Sequence, residues 1–232
     1  MPSSLYHRQV DYLLFRKRLG LALTAREVTL TAMDKEAGFS IDRKVRRDIK
    51  FPVGVMDVLT VEKTREHYRM LYDVKGRFTL VSIKEDESKF KLLKVKRKAV
   101  GPNKIPYIVT HDSRTIRFPH PEINEGDTIK YDLQNSKIIT WIKNEPGKLC
   151  YITGGNNIGR VGQLMHVEKH AGSFNIAHIR DAQGKTFATR VGNVFIIGDK
   201  KSTITLPEGD GLYKNILEEK HLRDEKRRKG SK

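Results

Sequence analysis

The chain has 232 residues, 38% of them apolar, with 45 Lys and Arg against 28 Asp and Glu and a formal net charge of +17. That length predicts one or two domains with modest cores, and so large a positive excess argues against a surface indifferent to polyanions, nucleic acid above all. Counted in blocks of fifty, the net charge is +5, +5, +1 and +3, with +3 on the last 32 residues, which argues against a neutral enzyme carrying a basic tail.

Val10, Leu13, Leu14 and Leu21 fall near helical spacing, with Arg16, Lys17 and Arg18 among them, so a first helix is expected through Gly20. Thr24-Ala25-Arg26-Glu27 reads as a capping box opening a second helix to about Lys35, with Val28 and Ala32 inward and Gly38 as its stop. A strand at 39–41, a basic turn with an extended piece at 42–48 and a strand at 57–61 complete a compact α/β module. Residues 62–145 read as β: strands are expected at 68–74, 78–83, 105–110, 115–118, 128–133 and 138–143, with turns at Lys75-Gly76 and at the intervening prolines. From Pro146-Gly147 onward, a glycine-rich turn at 154–162 joins two strands, and further strands are expected at 161–167, 174–180, 186–190 and 194–197. Residues 217–232 predict a charged helix running into a tail. The fold class expected is therefore α+β, mostly β.

The single cysteine, Cys150, excludes an intrachain disulfide and a cysteine-based zinc site. No stretch approaches the length of a membrane span and the first residues hold no apolar signal region, so a soluble protein of a reducing, intracellular compartment is expected. The glycines at 154–159 have P-loop spacing, but Arg160 and Val161 stand where that motif needs Lys and Ser/Thr. His166-Val167-Glu168-Lys169-His170 sets two histidines four apart without the adjacent glutamate of a zincin, and reads as a turn. Thr110-His111-Asp112-Ser113 holds hydrolase residue types, yet sequence neighbours do not make a triad. Asp73, Asp127 and Asp132 show no pairing. No catalytic constellation emerges.

The basic runs say more. Arg16, Lys17 and Arg18; Arg43, Lys44, Arg46 and Arg47; Lys94, Lys96, Arg97 and Lys98; and Arg114 with Arg117 lie in or beside structured segments. Clusters of this kind contact phosphates, arginine with its fork above all. Arg160 and Arg190 complete the set of candidate RNA contacts.

Taken in order, certain stretches resemble the ribosomal protein S-four family of the eukaryotic and archaeal type. They are Arg18-Leu19 with Ala22-Leu23-Thr24, Ile41-Asp42 with Lys44-Val45-Arg46 and Asp48, Met56-Asp57-Val58, Tyr72-Asp73 and Lys75-Gly76-Arg77-Phe78. The longest runs from Ile108-Val109-Thr110-His111-Asp112-Ser113-Arg114 to Thr115-Ile116-Arg117-Phe118-Pro119, with Asp127-Thr128-Ile129 after it. Val161-Gly162, Gly172-Ser173-Phe174 and Phe187-Ala188-Thr189-Arg190 close the series.

The resemblance implies an S-four-type RNA-binding domain over 1–61, a central β-rich domain over 62–145, a KOW-type small β-barrel over 146–200 and a charged segment over 201–232. It implies a non-enzymatic constituent of the small ribosomal subunit, bound to small-subunit ribosomal RNA and neighbouring proteins. No cofactor, metal, membrane or small-molecule substrate is expected. The location implied is the cytosolic ribosome, with nucleolar transit during assembly in a eukaryote. Family members usually begin with a longer basic extension, whereas this sequence starts almost at the first expected helix. The family's turn glycine after Ile41-Asp42 is Arg43 in this chain, and its basic loop near the end is the acidic Glu208-Gly209-Asp210-Gly211. Two other readings of such a chain are an RNA-modifying enzyme with an appended S-four-type domain and a KOW-bearing factor. The first needs a catalytic domain that the short β segments after 61 do not supply, and the second binds ribosomes reversibly.

Overall fold

Three five-stranded antiparallel sheets, joined by short connections, make up most of the molecule. The computed structural model describes residues 9–10, 16, 18–34, 38–48 and 51–230.

The first strand, β1 (Gln9–Val10), pairs with β4 (Pro52–Val53), so Val10 lies in a ladder and not on the expected helix. Arg16 is helical, but the chain turns at Arg18 and Gly20 adopts φ +65°, a left-handed conformation that ends a helix. Leu21 consequently sits beyond any helical face and is exposed. Leu13, Leu14 and Lys17 lie outside the described residues. The capping box forms as expected at α1 (Ala25–Met33). The Thr24 hydroxyl accepts from the Glu27 amide at 3.3 Å, and the Glu27 carboxylate accepts from the Leu23 amide at 2.8 Å and the Thr24 amide at 3.4 Å. Val28 and Ala32, one turn apart, are buried. The helix stops at Met33 with Asp34 in an extended conformation, short of Lys35, and Gly38 opens the next strand instead of capping the helix.

The first sheet has the order β3 (Lys44–Val45), β2 (Phe39–Ile41), β5 (Val58–Val61), β6 (Glu66–Tyr72), β7 (Phe78–Ile83). The boundary expected at 61/62 falls in the turn between two paired strands of this sheet. Its hairpin β2–β3 closes on Asp42 and Arg43, both with positive φ (50° and 60°), the pair of conformations a two-residue turn requires. Ala22, Val28 and Ala32 pack with Phe39, Ile41, Leu59, Val61 and Met70 over it.

A short helix, α2 (Glu85–Ser88), leads to the second sheet, ordered β10 (Thr115–Arg117), β9 (Pro106–Thr110), β8 (Phe90–Val100), β11 (Thr128–Asp132), β12 (Ile138–Ile142). Its central strand β8 has eleven residues, and the first half, through Val95, is covered on both sides while Lys96, Arg97 and Lys98 are exposed. Leu92 enters one core with Tyr72, Tyr151 and Phe195, while Leu93 and Val95 enter another with Ile108, Ile123 and Ile129.

The third sheet is ordered β16 (Thr186–Arg190), β15 (Ile176–Arg180), β14 (Val161–Glu168), β13 (Leu149–Ile152), β17 (Val194–Gly198). A single 3₁₀ turn, Val191–Asn193, carries the chain from one edge strand to the other. No ladder joins β16 to β17 among the described residues, so the expected barrel is an unclosed sheet. The chain ends on α3 (Ile216–Gly230).

The three sheets interlock. The Tyr151 hydroxyl accepts from the Tyr72 amide at 2.6 Å and donates to the Tyr72 carbonyl at 3.0 Å. Beside this latch Gly159, at φ +80°, lets the third sheet's loop approach the first: a Cβ there would stand 2.2 Å from the Asp73 carbonyl oxygen.

Candidate nucleic-acid interface

A cleft of about 950 Å³ opens where the three sheets meet, and its floor is a knot of buried charge. Lys91, on β8, is 1% exposed. Its ammonium donates to Asp42 at 2.9 Å and Asp57 at 2.5 Å, with Asp112 at 3.4 Å. Arg114 bridges two of the same carboxylates, with Nε 2.6 Å from Asp112 and a terminal nitrogen 2.6 Å from Asp42. Backbone amides complete the set, Val58 donating to Asp42 at 3.2 Å and Gly54 to Asp57 at 2.7 Å.

Removing five charges from water is costly, and these positions show what repays it. Burial opposes the Lys91 ammonium, but Asp57, Asp42 and Asp112 outweigh it and raise its pKa. Burial likewise opposes the Asp42 carboxylate, and Lys91 with Arg114 overcomes it, so its pKa is lowered; Asp112 is lowered in the same way. At Asp57 burial prevails, with the Asp42 charge adding to it, and the pKa rises. His111 turns inward beside the knot. Its Nδ1 accepts from the Lys94 amide at 3.2 Å and its Nε2 lies 3.4 Å from the Val55 carbonyl, which selects the Nε2–H tautomer. Burial, with the Lys91 charge, lowers this imidazole to about 4, so it is neutral near pH 7. Its ring meets Phe195 edge-on at 5.4 Å. His111 and Asp112 are thus engaged in packing and ion pairing, and Ser113 sits exposed on the turn at φ 67°.

The candidate cations divide into two groups. Lys94, Arg114 and Arg160 are committed inward. Lys94 donates to the carbonyls of Val191, Gly192 and Val194, tying β8 to the 3₁₀ turn of the third sheet. Burial, with the Lys96 charge, lowers its pKa to about 8. Arg160 reaches Asp181 at 3.2 Å and Asn157 at 3.0 Å and stacks 3.7 Å over Phe187. Arg114 belongs to the knot.

The rest face outward. Arg16, Arg18, Arg43, Lys44, Arg47, Lys96, Arg97, Lys98, Arg117 and Arg190 are exposed. Arg43 touches Gln134 at 3.3 Å, Lys98 donates to the Pro121 carbonyl at 2.7 Å, and Arg190 lies over Phe174 at 4.3 Å. Arg46 is half-buried, its guanidinium 4.3 Å over Phe51. Lys44, Arg46 and Lys96 line the cleft itself. Its rim is therefore cationic, drawn from the first and second sheets, above a floor whose two cations and three carboxylates are paired within the molecule.

Sequence reasoning missed the knot. A signal was present: Asp42, Asp57 and Asp112 each sit in a separate stretch that carried the family resemblance, and one lysine gathers all three.

Comparison with known proteins agrees with this architecture. The model of ribosomal family S4e matches residues 64–138, and that of the 40S ribosomal protein S4 C-terminus matches residues 181–227. The chain is 58% identical over 208 residues to small ribosomal subunit protein eS4 of Tetrahymena thermophila, covering 89% of this chain and 80% of that one. To its counterpart in Bombyx mori it is 52% identical over 209 residues, covering 90% and 79%. The crystal structure of 30S ribosomal protein S4e from Thermoplasma acidophilum superposes with a TM-score of 0.72 at 30% identity, over 85% of this chain and 99% of that one. On these matches, the chain belongs to the S4e family of ribosomal proteins.

Proposed function

We propose that this protein is a structural constituent of the small ribosomal subunit that binds small-subunit ribosomal RNA through its outward cations and performs no chemical step. The observation that carries this reading is the cationic rim of the cleft, where Lys44 and Arg46 from the first sheet meet Lys96 from the second. Arg43, Arg47, Arg97 and Lys98 are further exposed cations close to these in sequence, and such a cationic surface suits recognition of RNA by shape and phosphate. The committed cations, Lys94, Arg114 and Arg160, act on RNA indirectly by holding the sheets that present the others. Neighbouring small-subunit proteins are the further partners, in the cytosolic ribosome. Among the described residues no helix is long and apolar enough to cross a membrane.

The test uses Lys44→Glu with Lys96→Glu, both exposed at the cleft, in place of Arg46, whose packing on Phe51 contributes to the fold. Binding to small-subunit ribosomal RNA should fall by more than about tenfold, since two attractive contacts become repulsive. Unfolding free energy should change by less than about 0.5 kcal/mol, as at other surface positions. Wild-type affinity should also drop steeply with salt. Unchanged affinity in the stable double variant would remove the rim from the interface. A high-salt sucrose gradient separates this reading from a reversible factor, because a core constituent stays with the small subunit.

A further inference from the structure

His166-Val167-Glu168-Lys169-His170 alternates potential metal ligands with other residues. Such alternation places them on one face only if the segment is extended. It is extended, contrary to the turn expected from sequence: β14 runs through Glu168 and pairs with β15.

A bulge decides which face they take. The ladder passes from Leu164–Ile179 to His166–His178, so Met165 is an extra residue on β14. Without it His166 would share the inward face of Leu164, which is buried. The shift in parity sends His166 and Glu168 outward and leaves Val167 opposite the buried Ala177. His178, directly across from His166, joins them.

The groups converge. The rings of His166 and His178 stack with centroids 4.4 Å apart. One Glu168 oxygen lies 3.3 Å from His178 Nε2 and 3.8 Å from His166 Nε2, and the other lies 3.6 Å from His170 Nε2. Ligand atoms of His166, Glu168 and His178 all fall within 4.8 Å of one another. His178 Nε2 is shielded from solvent and faces the Glu168 carboxylate at 3.3 Å without good hydrogen-bond alignment. A shielded polar atom left in that state costs free energy, and a cation shared by the ring nitrogens and the carboxylate removes the cost.

We propose that the outer face of the β14–β15 hairpin binds one divalent transition-metal cation of the zinc class through His166, His178 and Glu168, with His170 as the fourth ligand from the adjoining loop. Imidazole nitrogens with one carboxylate suit zinc, copper(II) or nickel(II), whereas magnesium and calcium prefer oxygen throughout. Stacked rings hold their lone pairs side by side, so closure on the ion swings one imidazole about its soft terminal torsion. Four protein ligands leave no open position, and the role is structural: the ion pins the loop after β14 to both strands.

The experiment titrates the untagged full chain, stripped with chelator, with zinc sulfate by calorimetry and with cobalt(II) by visible absorption. One ion per chain is expected, with the cobalt spectrum of a four-coordinate nitrogen and oxygen site. His166→Ala and His178→Ala should each weaken zinc binding by at least about tenfold, no less than the loss of an outer-shell partner. His120→Ala, which alters an exposed histidine stacked on Trp141, should leave binding unchanged. Zinc should raise the melting temperature of wild type and not of His178→Ala, while both melt alike without metal. Absence of saturable binding by wild type would overturn the proposal, as would binding that survives both histidine substitutions or falls equally with His120→Ala.

Discussion

The floor and the rim of the central cleft are built from the same residue types and behave oppositely. On the floor, Lys91 and Arg114 are enclosed by Asp42, Asp57 and Asp112, and their charge is spent within the molecule. On the rim, Lys44 and Lys96 remain exposed to solvent. The difference teaches that a cation's use is set by what repays its desolvation. Where carboxylates repay it, the residue organises the fold; where water does, the residue stays available to phosphate. Arg46 stands between, because Phe51 covers one face of its guanidinium and leaves it beside the cleft.

The sharpest way to break this contrast is Lys91→Met. It leaves Asp42 and Asp112 to Arg114 and takes away the Asp57 ion pair, and unfolding free energy should fall by about 3–5 kcal/mol, the usual cost of stranding one side of a buried pair. Denaturant titration measures it, and a cost near that of a surface lysine would show the floor to be no more than a crowded rim. A smaller effect follows from His111. Its imidazole is lowered to about 4 in the folded chain, against about 6.5 when unfolded. The unfolded chain therefore takes up the proton first as pH falls. The corresponding stability is fully present above about pH 6.5 and is lost toward about pH 4, by on the order of 3 kcal/mol. Urea midpoints across that window should decline in wild type and flatten in His111→Gln. The least effect lies at the exposed β2–β3 turn. Arg43 holds φ 60° there, and Arg43→Gly should stabilise the fold by about 0.5–1 kcal/mol by removing the strain of a left-handed side-chain residue. The same change should weaken RNA binding slightly if that turn contacts phosphate.

What was legible in the sequence had local causes. The capping box at Thr24 and Glu27 depends on four adjacent residues and forms as read. The strands at 78–83 and 186–190 match, and the second alternates in burial. Arg43, where the family has its turn glycine, does adopt a positive φ. What was not legible had distant causes. β8 hid because both faces of its first half are covered, and the buried Lys91 and largely enclosed Lys94 answer to partners far along the chain. The N-terminal stretch shows the same limit: Val10 obeys β4, some forty residues away, and not its own periodicity. The histidine run at 166–170 was misread because one inserted residue, Met165, reverses the parity of everything after it. Of the RNA candidates, sequence ranked Lys94 equal to Lys96, and only the 3₁₀ turn at 191–193 tells them apart.

The Tyr72–Tyr151 latch sets a schedule for synthesis. The backbone pair of Tyr72 waits for a hydroxyl 79 residues downstream. At about 5–20 residues per second, that partner leaves the ribosome about 4–16 s later. Throughout that interval the end of β6 and the apolar side chains around it lack their cover from the third sheet. The apolar end of the nascent first sheet therefore stays open until the third sheet arrives to close it.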